Sequence, residues 1–194
     1  MDRKTWNAAF MTDAELAAIG ITDASQRNIR IHKTAVLVET SGWEFGHDIR
    51  IDPMVVISCA DLRIARHVHV AVGGAIIGAG AVRIGDFANL SGGVRVYTSN
   101  DDYSGKSLTN PMVPSEMSNV HHAPVRIGAH AILGANAVVL PGTDIGDGVA
   151  LGAFSLASGE LEPWTVYAGI PAKRIKERKR DCELLGERLL GGSS

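Results

Sequence analysis

Residues 127–157 carry an aliphatic or small apolar residue at every sixth position: Ile127, Leu133, Val139, Ile145, Leu151 and Ala157. Glycine follows at Gly128, Gly134, Gly146 and Gly152, and a small residue stands four after at Ala131, Ala137, Thr143, Val149 and Ser155. A sustained six-residue period fits few structures. It predicts a solenoid of triangular coils, three hexapeptides to a coil of about 18 residues. One coil cannot bury its own apolar row, so neighbours must stack on it, and at least three coils are needed. Glycine after the aliphatic residue suits unusual dihedrals or very tight packing.

The period traces backward in three rows. The first holds Phe45, Ile64, Ile84, Ile127 and Ile145; the second Ile51, Val70, Leu90, Leu133 and Leu151; the third Ile57, Ile76, Val96, Val139 and Ala157. Along the first row the steps are 19, 20, 43 and 18 residues. The small excesses predict turn insertions, and the large one predicts an extruded loop over residues 97–124. That loop is polar and carries three prolines, Pro111, Pro114 and Pro124. Long irregular segments in compact domains are usually functional or disordered. Thr12 and Glu15 form a capping-box pair ahead of a short helix ending near Gly20. Residues 173–190 read as an amphipathic C-terminal helix. The expected division is therefore residues 1–44 as helix and lead-in, 45–162 as the all-β parallel solenoid with its loop, and 163–194 as cap and helix.

Aromatic residues are 5% of the chain, which fits a core filled by Ile, Val, Leu and Ala. A net charge of −2 gives no electrostatic case for nucleic acid or membrane binding. Cys59 and Cys182 match no metal or redox spacing and read as reduced and incidental. No apolar signal segment opens the chain and no apolar run is long enough to span a bilayer, so a cytoplasmic location is expected.

The repeat, the loop and the ending Ala168-Gly169-Ile170-Pro171-Ala172-Lys173-Arg174-Ile175 resemble the hexapeptide-repeat acetyltransferases, in particular the galactoside and maltose branch. The likeness covers residues 45–176. Asp101-Asp102-Tyr103-Ser104-Gly105, with Leu108-Thr109-Asn110-Pro111, is similar to sugar acetyltransferases of polysaccharide and O-antigen synthesis. The resemblance implies a left-handed β-helix, a homotrimer with sites between subunits, acetyl-CoA as co-substrate, no metal, and a sugar or nucleotide-sugar acceptor beside the loop. The family's usual base is a histidine seventeen residues after the aliphatic residue of an Ile-Gly-Asp hexapeptide. Here that hexapeptide begins at Ile84, and the position holds Asp101. Candidate catalytic residues are therefore Asp101, its neighbour Asp102, and His121 or His122 at the loop's return. Asn100, Tyr103 and His69 are candidate acceptor contacts. Ala135 and Ala153 match the small residues along which the pantetheine arm lies. Ser158 stands where the family often has Thr-Lys. Lys173 and Lys176 suit the phosphates of CoA.

The resemblance implies O-acetylation of a sugar hydroxyl, as in lipopolysaccharide O-antigen synthesis. The alternative is N-acetylation of a nucleotide-linked amino sugar, an acceptor that needs a weaker base. A remote alternative is a γ-type carbonic anhydrase, with zinc held by imidazoles drawn from His67, His69, His121 and His122.

Overall fold

The structure, a computed structural model, describes residues 9–191. It is the left-handed parallel β-helix expected, and all three rows stack as predicted. In the first, Phe45 pairs with Ile64, Ile64 with Ile84, Ile84 with Ile127 and Ile127 with Ile145. Ile51, Val70, Leu90, Leu133 and Leu151 follow one another in the second. Ile57, Ile76, Val96, Val139 and Ala157 do so in the third. The stacking runs further at both ends, from Ile31 beneath Ile51 and Leu37 beneath Ile57 to Leu161 above Ile145 and Tyr167 above Leu151. These residues form one continuous buried core. Each buried aliphatic side chain contributes roughly 1.5–3 kcal/mol by leaving water.

Every irregularity in the period falls at one corner. Ile57 to Ile64 takes seven residues, Ile76 to Ile84 eight, and Val96 to Ile127 thirty-one, while the other two corners keep the six-residue step. The extra residues let Val56–Ile64 and Ala75–Ile84 run round this third-to-first corner as unbroken strands, with a register shift between Cys59 and Asp61. The first and third faces consequently share one hydrogen-bonded network, and the second face is a separate sheet of eight strands.

The glycines after the aliphatic residues serve close approach. A Cβ on Gly134 would lie 2.4 Å from Ala153 N, and one on Gly128 2.5 Å from Asp147 N, both backbone atoms of the coil above. The left-handed dihedrals fall two residues later, at Asp48, His67, Phe87, His130 and Trp164 on the first-to-second corner. There His67 stacks on Phe87 at 4.8 Å and Phe87 on His130 at 4.8 Å. Gly148 continues this column without a side chain, because the Trp164 ring lies over it.

The capping box forms: Thr12 Oγ1 accepts from Glu15 N–H, and Glu15 accepts from Thr12 N–H, heading α1 (Asp13–Ala18). The C-terminal expectation needs correction. Lys173–Glu177 is a strand, and α2 spans only Asp181–Gly191. Thr165–Ala168 ends the second-face stack with an unpaired edge, and Lys173–Glu177 returns antiparallel to satisfy it. That tertiary demand overrides helical periodicity. Arg178 then donates to the carbonyls of His130 and Gly148. α2 packs Gly186 over the histidine column, where a Cβ would meet His130 Cε1 at 2.7 Å. No helix among the described residues is long and apolar enough to cross a membrane.

Both cysteines are unbridged. Cys59 is 4% exposed. Burial, with the nearby Asp61 charge, pushes its thiol up to about 11. Only a thiolate attacks an alkylating reagent. At pH 8 without denaturant, mass spectrometry after maleimide treatment should therefore find Cys182 labelled and Cys59 untouched, and both labelled in urea. Double labelling of the native protein would contradict the buried placement.

Candidate active site

The loop opens and closes as a small antiparallel ribbon, with Ser99 paired to His122 and Asn100 to His121. Its base is seated on the frame. Thr98, fully buried, accepts from Gly80 N–H through Oγ1 at 3.0 Å, and its carbonyl accepts from Ala123 N–H at 3.0 Å. Ser99 Oγ accepts from Ala79 N–H at 2.8 Å and lies 2.7 Å from His122 Nδ1. The approach requires bare backbone beneath: a Cβ on Gly78, at φ +129, would sit 2.5 Å from Thr98 Oγ1.

Side chains alternate across a strand, and directly paired residues project to one side. Ser99 and His122 therefore share a side of the ribbon, and Asn100 and His121 take the other. Asp101 follows directly, one residue beyond the paired strand Ser99–Asn100. The two acidic neighbours differ. Asp102 Oδ1 accepts from Ser104 N–H at 2.8 Å. Hydrogen bonds from Ser104 and Ser107 hold the Asp102 carboxyl below its ordinary value. Asp101 is exposed and forms no hydrogen bond or ion pair among the described residues. Asp102 thus shapes the turn, and Asp101 is the unengaged carboxylate. Tyr103, at the outer part of the loop, is 88% exposed.

The predicted CoA residues partly converge. Ala135 and Ala153 lie on successive coils at the second-to-third corner, and their backbone N–H groups make no hydrogen bond among the described residues. The cap crosses directly above. Gly169 N–H donates to Ser155 Oγ at 3.0 Å, and Leu156 O accepts from Ala172 N–H at 2.8 Å. Lys173 leaves this cap paired with Ala168, while Lys176 is carried onto the second face opposite Val166. Ser158 lies away from them, past the far end of the third-face strand Leu156–Ala157. The third face separates the Ala135 corner from the loop corner, a strand's width of roughly 16–20 Å.

His69 lies on the outer surface of the second face. Its Nε2 is 2.9 Å from Asp52 Oδ2 and its Nδ1 3.1 Å from Asn89 Oδ1, so both ring nitrogens are engaged. Burial raises the Asp52 carboxyl, but hydrogen bonds from His69 and Arg50 outweigh it and hold it below its ordinary value. His67 belongs to the corner column. Among the described residues the group with metal-ligand spacing is His47, Asp48 and His67, and it includes none of the loop histidines. A groove of about 530 Å³ runs up the first face past Arg63, Arg83 and Arg126. Those arginines pair with Glu44, Asp61, Asp144 and Asp147, and no predicted site residue lines it. Ser99 and Ala79 escaped sequence reasoning. The signal was present in Gly78-Ala79-Gly80, two glycines breaking an apolar strand one coil beneath Thr98-Ser99.

Residues 124–157 match the family model Bacterial transferase hexapeptide (six repeats). The chain is 38% identical over 174 residues to the dTDP-4-amino-4,6-dideoxy-D-glucose acyltransferase of Escherichia coli, covering 89% of this chain and 90% of the relative. It is 42% identical over 77 residues, 40% of this chain and 39% of the relative, to the putative lipopolysaccharide biosynthesis O-acetyl transferase WbbJ of Escherichia coli K12. Among solved structures it is similar to AntD, an N-acyltransferase from Bacillus cereus. A point mutant of AntD in complex with dTDP-4-amino-4,6-dideoxyglucose and coenzyme A superposes with a TM-score of 0.88 at 32% identity, over 95% of this chain and 98% of that one. AntD with dTDP and 3-hydroxybutyryl-CoA gives 0.83 at 30%, over 96% and 99%. A maltose O-acetyltransferase from Clostridium difficile shares only the fold, at 20% identity and a TM-score of 0.53 over 76% of this chain and 65% of that one.

Proposed function

We propose that this chain, which belongs to the hexapeptide-repeat acyltransferase family and is an acyl-CoA-dependent transferase, places its acyl group on the amino nitrogen of a dTDP-linked 4-amino-4,6-dideoxy sugar. The observation that carries this reading is similarity over nearly the whole chain to a dTDP-4-amino-4,6-dideoxy-D-glucose acyltransferase and to an N-acyltransferase bound to that sugar nucleotide and CoA. It replaces O-acetylation as the leading expectation. The O-acetyl transferase relative matches over 40% of the chain, and the maltose enzyme supports no more than the fold.

In this reading the pantetheine arm lies along the Ala135 and Ala153 corner, donating to and accepting from backbone groups there, and Lys173 and Lys176 meet the CoA phosphates. Asn100, Tyr103 and the loop contact the acceptor. The Asp101 carboxylate binds the acceptor ammonium and takes its proton. The freed nitrogen attacks the thioester carbonyl, the C–N bond forms, and the C–S bond breaks. The nitrogen's second proton leaves with the CoA thiolate, giving amide and free thiol. Amine acceptors are intrinsically good nucleophiles once neutral, which fits a carboxylate standing where the family usually has histidine.

Assembly as a homotrimer belongs to the same reading. The third face exposes apolar side chains on its outside, Val36 at 51%, Val38 at 41% and Ile77 at 37%. The first face instead presents Glu44, Arg63, Arg83, Arg126, Asp144 and Glu160. A second copy packed on the third face covers that patch and brings its loop toward this chain's Ala135 corner. Ile77→Asp with Val38→Asp should reduce the light-scattering mass from three times 20.5 kDa to a single protomer and abolish transfer. A fully active wild-type monomer would overturn the shared site. For the reaction itself, the test is turnover of dTDP-4-amino-4,6-dideoxyglucose with acyl-CoA, read as thiol release and amide product. Failure with that acceptor, alongside turnover of a neutral sugar, rejects it.

A further inference from the structure

The hydrogen bonds at the loop base bear on which atom His122 can offer. Ala79 N–H donates to Ser99 Oγ. A backbone N–H cannot act as an acceptor, so it occupies one lone pair of Ser99 and leaves the hydroxyl proton to find an acceptor of its own. The partner in reach is His122 Nδ1, at 2.7 Å.

We infer that Ser99 is a positioning residue that holds His122 as its Nε2–H tautomer, so that His122 serves the transfer as a hydrogen-bond donor to the acyl carbonyl oxygen and not as the base. The proton order runs from Ala79 N–H to Ser99 Oγ, and from Ser99 O–H to His122 Nδ1. The neutral ring that results presents Nε2–H to its exposed side. Ala79 is part of Ala75–Ile84, so the donor that starts the chain is fixed by the solenoid rather than by the loop. Gly78 and Gly80 allow this seating, since a side chain at either would strike Thr98, Ser99 or Ala123.

The inference rests on the acyl-transfer reading above and sharpens it. Attack on a thioester needs one group to accept a proton and another to stabilise the oxyanion. Asp101 directly follows the Ser99–Asn100 strand that pairs with His121–His122, so a carboxylate and an N–H donor stand at the same base of the loop. No proton moves through His122: it donates a hydrogen bond that shortens as the carbonyl oxygen gains charge.

Long-range 1H–15N NMR of 15N-histidine-labelled protein reads the tautomer directly and without substrate, with His122→Gln assigning the signal. A protonated Nε2 and bare Nδ1 are expected, relaxing toward a mixture in Ser99→Ala. A protonated Nδ1 in the wild type overturns the inference. Kinetics supplies the second arm. Glutamine keeps an N–H donor and loses basicity, so His122→Gln should stay within about tenfold of wild type while His122→Ala falls about 10²–10³-fold, the size of losing one oxyanion donor. Equal losses in both variants, with unchanged melting temperatures, also overturn it. If the dTDP amino sugar is no substrate, the functional reading fails while the NMR result still decides the tautomer.

Discussion

Replacing Asp101 with alanine is expected to lower kcat about 10²–10⁴-fold, the range for loss of a positioned general base, while calorimetry finds acyl-CoA binding unchanged. The reason lies in the acceptor. An amine next to electronegative carbons titrates nearer the α-amino value of about 7.7–8.0 than that of lysine, so near neutral pH much of it is ammonium and has no lone pair. Asp101 is the carboxylate of the loop that no other described residue engages, whereas Asp102 is tied to Ser104. The deficit should shrink as pH rises toward about 9, where the acceptor arrives neutral. Asp101→Asn, which keeps the shape, should behave like alanine. A variant with near-normal kcat at pH 7, or a deficit that does not change with pH, removes Asp101 from the proton transfer. Asp102→Asn provides contrast. Its amide oxygen can still accept from Ser104 N–H, so activity should hold within about threefold, inside the range of a modest positional change.

The largest structural effect should come from Gly134→Ala, at about 4–5 kcal/mol, a size reserved for substitutions with a named steric cause. The added Cβ would stand 2.4 Å from Ala153 N and 2.7 Å from Gly152 C. Neither atom can yield, because Gly134 N–H donates to Leu151 O at 2.7 Å and Gly152 N–H to Tyr167 O at 2.8 Å, the bonds that stack these coils. Gly159→Ala separates space from dihedral strain. Gly159 has φ +71 and nothing within 4 Å of its Cβ position, so it should lose only about 1–2 kcal/mol. Urea midpoints measure both. A Gly134→Ala loss below about 1 kcal/mol would mean that the coils separate readily, contrary to the contacts they make.

Leu133 and Leu151 illustrate why the frame was legible. A six-residue period leaves one register that buries every aliphatic side chain, so pairings forty-three residues apart, as between Ile84 and Ile127, follow from counting alone. The same count located the loop and Asp101. The loop's interior was not legible, because its conformation depends on polar contacts such as Thr98 to Gly80 that have no period. Lys173–Glu177 misled for a related reason: its strand exists only because Thr165–Ala168 leaves an edge to fill. His69 was a candidate acceptor contact, yet Asp52 and Asn89, each about one coil away, occupy both its nitrogens. Acceptor chemistry was hardest of all. Asp101 in place of histidine left hydroxyl and amine acceptors both open, and whole-chain similarity to amino-sugar enzymes now favours the amine.

The central claim is tested most directly by one competition. The wild-type enzyme is given acyl-CoA with equal amounts of dTDP-4-amino-4,6-dideoxyglucose and dTDP-glucose, and products are separated by mass spectrometry. N-acyl transfer predicts an amide on the amino sugar, stable to hydroxylamine, at a kcat/KM at least about 10²-fold above that for the hydroxyl sugar, a ratio expected when a site is built to engage one polar group. A hydroxylamine-labile ester on dTDP-glucose, formed as fast or faster, would contradict it.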